Sequence, residues 1–191
     1  DEPTVSNPLR YLRLAPIAIA TTVLYAALET SGLSFLPLYA VSEGWNEADA
    51  TTLISALMFG AIILALPIGW LGDMMDRRRL VLILGLVAAV GALLWPLVLR
   101  DPWLAYPLVF VWGGVFVGIY TLMLTVVGSR FKGADLVGIY AVMGLTWGAG
   151  ALVGPTAAGL AMDHLPHGLA LFAAAACFAF VLYLLFNKSE A

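Results

Sequence analysis

Six long apolar stretches dominate the sequence and leave few folds open to it. They cover residues 14–41, 50–71, 80–99, 103–129, 136–162 and 169–187. A helix needs roughly 20 apolar residues to cross about 30 Å of hydrocarbon, and each stretch supplies about that length or more. Five of the six contain no charged residue, and Glu29 interrupts the first. Over the whole chain 62% of residues are hydrophobic and only 11% charged, whereas soluble domains carry about 25% charged residues. Lipid must therefore be the principal solvent. The stretches show no alternation of apolar and polar residues, and barrel strands would be about 10 residues long. The pattern predicts an all-α integral membrane protein, a bundle of six transmembrane helices.

Short connections force neighbouring helices to be antiparallel, because a chain leaving the membrane must re-enter from the same side. The expected organisation is a linker or arm over residues 1–13, a six-helix transmembrane domain over 14–187 and a tail over 188–191. The first apolar run is too long for a signal peptide core. The chain opens on Asp1 rather than Met, which suggests a fragment or a processed product. Sidedness follows from the basic residues, which short cytoplasmic loops retain. Arg10, Arg13, Arg77, Arg78, Arg79, Arg130, Lys132 and Lys188 fall on one side, against Arg100 on the other. Both termini are therefore expected in the cytoplasm, and the membrane is expected to be the bacterial inner membrane. Asn46, in the acidic first outer loop, is placed to cap the following helix.

Between the second and third stretches the chain reads Gly69-Trp-Leu71-Gly-Asp73-Met-Met-Asp-Arg77-Arg78-Arg79. A short carboxylate at a helix end, followed by a basic run, can latch a neighbouring helix start, where unpaired NH groups carry partial positive charge. Asp73 is expected to hold the helix beginning near Leu136, with Arg77, as part of an inner gate. In the fifth stretch Gly150, Gly154 and Ala158 recur every four residues, a smooth stripe for close helix approach, and Pro155 is expected to bend the helix.

The hairpin resembles the cytoplasmic signature of the major facilitator superfamily, Gly-x-Leu-x-Asp-Arg-x-Gly-Arg-Arg. Gly69, Leu71, Asp73, Arg77 and Arg78 match it, while Met74 and Asp76 depart from it. The Gly150–Gly154–Pro155 segment is similar to the superfamily's eleventh helix, which packs between the two halves of these transporters. Helix number and motif position together resemble the C-terminal half, helices seven to twelve. The resemblance implies alternating-access transport by two six-helix halves, with a substrate path lined here by residues 14–41 and 103–129.

Glu29 is the leading site candidate, because a carboxylate in mid-bilayer faces a cavity, a partner or a proton pathway. Tyr25 and Gly32 share its helix face. On the fourth stretch Trp112 and Tyr120 lie two turns apart, with Thr121 and Thr125 nearby, and are expected to project together into the path. Thr146 and Trp147 are weaker candidates. Asp163, His164 and His167 lack further ligands, so no metal is expected. Cys177 lies in an apolar run and is expected to be a small packed residue. No HExxH, GxSxG or phosphate-cradling loop occurs, which argues against an enzyme. The expected partners are the lipid bilayer, a small-molecule solute, and either a missing N-terminal six-helix half or a second copy. No cofactor or nucleic acid is expected. The expected activity is secondary transport of a small solute, possible proton coupling included. The alternative is a non-transporting membrane scaffold or interaction subunit.

Overall fold

The computed structural model describes residues 8–187, all in helices or the short turns between them. A short helix, α1 (Pro8–Leu14), precedes α2 (Pro16–Ser42), α3 (Glu47–Met74), α4 (Arg77–Val98), α5 (Pro102–Arg130), α6 (Gly133–His164) and α7 (Gly168–Phe186). The helices α2 to α7 are each long and apolar enough to cross a membrane. They coincide with the six expected stretches to within three residues at every end.

Local chemistry explains where these helices begin. Asn46 caps α3 as expected, its side-chain oxygen accepting from the Asp49 backbone NH at 2.8 Å. Asp76 does the same for α4 through Arg79 NH at 2.8 Å, and Asp101 for α5 through Trp103 NH at 3.0 Å. Pro16 and Pro102 stand in the first turns of α2 and α5, where a missing NH costs nothing.

The helices form two layers. One is a row in the order α3, α5, α2, α6, in which α3 packs most extensively on α5 and α2 on α6. Behind it lie α4, packed on α5 and α7, and α7, packed on α2 and α6. Exchanging the set α2, α3, α4 with α5, α6, α7 turns the α2–α6 contact into α5–α3 and leaves α4–α7 unchanged. That relation is a three-plus-three repeat of the kind on which many transporter folds are built. The sequence alone neither showed nor excluded it.

Lipid tails give helices no hydrophobic reason to associate, so close packing must hold the row together. Glycine makes that packing possible. A Cβ on Gly154 would stand 2.6 Å from the Ala27 carbonyl oxygen, and one on Gly150 2.7 Å from that of Val23. At the α3–α5 crossing, a Cβ on Gly114 would stand 2.8 Å from the Gly60 oxygen. The Gly150–Gly154–Ala158 stripe is thus spent inside the bundle, against α2. It does not face outward between halves as the family resemblance implied, and α6 runs on through Pro155 to His164.

Part of the N-terminal arm is helical. Residues 8–13 form most of α1, which docks on α6: Tyr11 is buried beneath Gly138, and Arg10 pairs with Asp135 at 3.3 Å. The remainder of the arm, residues 1–7, and the tail 188–191, Lys188 included, lie outside the described residues.

Candidate functional site

Where α2 meets α5, an acid sits beside a column of stacked rings. Tyr25 and Glu29 are one turn apart on α2, and the Tyr25 hydroxyl donates to Glu29 Oε1 at 2.9 Å. Both residues are half-buried. The Tyr25 ring lies between Tyr120, with centroids 4.3 Å apart and planes at 11°, and Phe116, at 5.0 Å and 14°. Phe116 stacks in turn on Trp112 at 5.0 Å and 16°, and Trp95 of α4 meets Trp112 edge-on at 4.9 Å. The column runs from half-exposed Tyr120 to fully buried Trp95.

The spacing of α5 produces this arrangement. Trp112, Phe116 and Tyr120 recur every four residues and form one ridge, and Tyr25 of α2 inserts between the last two. Stacked aromatic pairs contribute about 0.5–1.5 kcal/mol each beyond simple burial. The column therefore fixes the Tyr25 hydroxyl, and through it the carboxylate. Gly32, on the same helix face, is buried with open space where a Cβ would stand.

One sequence expectation needs correction here. Trp112 does not project into an open path with Tyr120. It is 3% exposed, and its indole NH donates to the Ala88 carbonyl of α4 at 2.9 Å. Its work is to brace the column from behind. Phe116, which sequence reading passed over, is the ring that joins Trp112 to Tyr25, and its place in the every-four ridge was the signal available. Thr121 and Thr125 are exposed, but their hydroxyls donate to carbonyls one turn back, of Val117 and Thr121. Thr146 does likewise to Val142 and Met143, and Trp147 is partly exposed on α6.

At the basic end of the bundle, Asp73 does not reach the start of α6. It closes α3, which packs on α5, and its side chain is 79% exposed with Arg77 Nη2 at 3.8 Å. Arg77 extends at 3.4 Å to Ser129 of α5. The α6 start is held by α1 instead, through the Arg10–Asp135 pair. Arg78 donates to the carbonyls of Leu184 and Asn187, closing the C-terminus of α7 with a cation where the helix dipole favours one. Gly69 has open space and Leu71 is exposed, whereas Gly72 is the tight position, with Leu122 Cδ2 2.6 Å from where its Cβ would stand. A cavity of about 380 Å³ opens here, lined by Arg77, Arg78 and Arg130 among others. Glu29 does not line it.

The opposite end carries a second polar cluster. His167, with φ of 57°, sets its Nδ1 2.7 Å from the Tyr39 hydroxyl and 3.2 Å from Glu43, whose other oxygen accepts from Arg100 Nε at 3.0 Å. These contacts tie the end of α2 to the α4–α5 and α6–α7 turns. His164 bonds back to the Leu160 carbonyl instead. Among the described residues no three metal-ligating side chains converge. Cys177 is buried, as expected of a packed residue.

Six antiparallel apolar helices, built as two related triplets with one acid near the middle, define an integral multi-pass membrane protein. The profile of the Major Facilitator Superfamily matches residues 17–191, and the chain belongs to that superfamily. An uncharacterized MFS-type transporter, YfkF, of Bacillus subtilis is 26% identical over 147 residues, which is 77% of this chain and 37% of that protein. Sugar phosphate exchanger 3 of Bos taurus is 38% identical over 82 residues, 41% of this chain and 17% of that protein. The chain thus matches well under half the length of either relative. No solved structure matches significantly.

Proposed function

We propose that the chain is the C-terminal six-helix half of a twelve-helix carrier. It moves a small solute by rocking against an N-terminal half or a second copy, with α2 and α5 on the path. The observation that carries this reading is Glu29. A carboxylate is costly in mid-membrane and persists where it faces a cavity, a partner or a proton route, and this one is held by Tyr25 at the α2–α5 seam. Alternating protonation and solute contact at Glu29 would couple transport to a proton gradient. Asp73, largely exposed at the basic end, is free to meet the partner half there and so to bias which side opens.

Uptake or efflux in sealed proteoliposomes, with and without an added N-terminal half, tests this. Transport only with the added half would make an N-terminal half the partner, transport by the chain alone would make the partner a second copy, and in either case Glu29→Gln is expected to lower the rate at least tenfold. Full activity of Glu29→Gln would remove the carboxylate from the mechanism. Absence of transport in both formats across a broad solute panel would leave a non-transporting scaffold as the better reading.

A further inference from the structure

The solute's chemical class follows from what surrounds Glu29. Resting on the transport reading above, we infer that this half binds an organic cation, a protonated or quaternary amine carried on a flat apolar body.

Charge is the first ground. Glu29 is the only ionisable Asp, Glu, Lys or Arg within the six apolar stretches. Arg10–Asp135, Arg77–Asp73 and Arg100–Glu43 pair at helix ends, and the His167–Glu43 contact lies at one too. Tyr25 offers Glu29 one neutral hydrogen bond, which steadies the carboxylate without cancelling its charge. A bound cation would complete the site. A phosphate or carboxylate about 4 Å from Glu29 would instead be disfavoured on the order of a thousandfold per unit charge at an effective dielectric of about 20, because this half sends no basic side chain to meet it.

The rings are the second ground, and they point the same way. Aromatic faces carry negative potential and attract cations. Both faces of Tyr25 are covered, by Tyr120 and Phe116, and Phe116 is covered again by Trp112. Tyr120 ends the column, half-buried, with Tyr25 against one face. It is therefore the ring available to stack on a planar solute, while the carboxylate beside it takes the charge. Glu29 and Tyr120 come from different helices, so a solute bridging them also joins α2 to α5. An apolar body matches apolar stretches that hold no lysine or arginine, where a sugar phosphate would leave its charge unanswered.

Equilibrium binding of radiolabelled ethidium, a planar quaternary nitrogen cation, to the purified full chain, with glucose 6-phosphate as competitor, tests the assignment. Saturable binding is expected, weakened at least tenfold in Glu29→Gln, weakened three- to tenfold in Tyr120→Leu, largely kept in Glu29→Asp, and indifferent to millimolar glucose 6-phosphate. Near-wild-type thermal unfolding of Tyr120→Leu and Glu29→Asp guards against a folding artefact. Binding unchanged in Glu29→Gln, or displaced by glucose 6-phosphate, would overturn the cation assignment. Proteoliposomes separate the two readings. With the second half present, Glu29-dependent accumulation of glucose 6-phosphate without ethidium would sink the cation and keep the transporter, whereas Glu29-dependent ethidium binding with no movement of any solute across a broad panel would keep the cation and sink the transporter.

Discussion

A carboxylate taken from water needs an answering group, and at Glu29 that group is one phenolic proton from Tyr25. Hydrogen bonds to charged groups contribute about 1.5–3 kcal/mol, roughly ten- to a hundredfold in any process that needs the carboxylate held in place. Tyr25→Phe keeps the ring between Phe116 and Tyr120 and deletes only that bond. Its initial transport rate in proteoliposomes is expected to fall by at least tenfold, while its thermal stability falls by less than about 2 kcal/mol. A rate equal to wild type would mean that Tyr25 serves the ring column and not the acid. Tyr25 and Glu29 were legible in sequence because the i, i+4 relation is a property of one helix. Trp112 was misread because the rotation of α5 about its own axis is set by contacts with α2 and α4, which no single-helix pattern contains. Phe116 was legible from its place in the every-four ridge of α5, but only the contact with Tyr25 of α2 gives that ridge its role.

Individual helices pair through glycine, and two sets of glycines on α6 differ in a way that can be measured. Gly150 and Gly154 abut the α2 backbone, whereas Gly144 and Gly148 have open space where a Cβ would stand. Overpacking a tight contact costs typically 1–3 kcal/mol and occasionally more, and here the obstruction is backbone, which cannot rotate away. Gly154→Val is expected to lower the thermal midpoint in detergent sharply or to abolish a monodisperse chain. Gly148→Ala should leave it within the ordinary scatter of surface substitutions, about 0.5 kcal/mol. Equal behaviour of the two variants would mean that α2 and α6 do not approach as described. Small-residue spacing announced a close approach from sequence. It could not say which helix approaches, and the stripe proved to close the α2–α6 contact within the half. The basic hairpin shows the same limit, because Asp73 and Arg77 were identifiable as a pair while the neighbour they address depends on α3 lying against α5.

For the whole molecule, the six spans and the up-and-down order were readable because hydrocarbon thickness imposes a length that composition alone can meet. The docking of α1 was not readable, since seven residues carrying two arginines give no lipid signal, and the contacts that dock it, Tyr11 beneath Gly138 and Arg10 with Asp135, reach residues far along the chain. Sidedness is the property of the whole that the charge pattern predicts most directly. Eight basic residues against one predict that the end bearing Arg77–Arg79 faces the cytoplasm, and reversing the bundle would carry most of those charges across the bilayer. The protein is suited to a direct check, because its sole cysteine, Cys177, is 1% exposed and should not react. Exposed Glu47 and Arg79 stand at the starts of α3 and α4, on opposite ends of the bundle. A membrane-impermeant maleimide added to intact cells is expected to label Glu47→Cys and spare Arg79→Cys, and inverted vesicles should reverse the pattern. Labelling of Arg79→Cys from outside would turn the bundle over and make the basic cavity an external feature. Labelling of both from one side would contradict the single crossing of α3 between them.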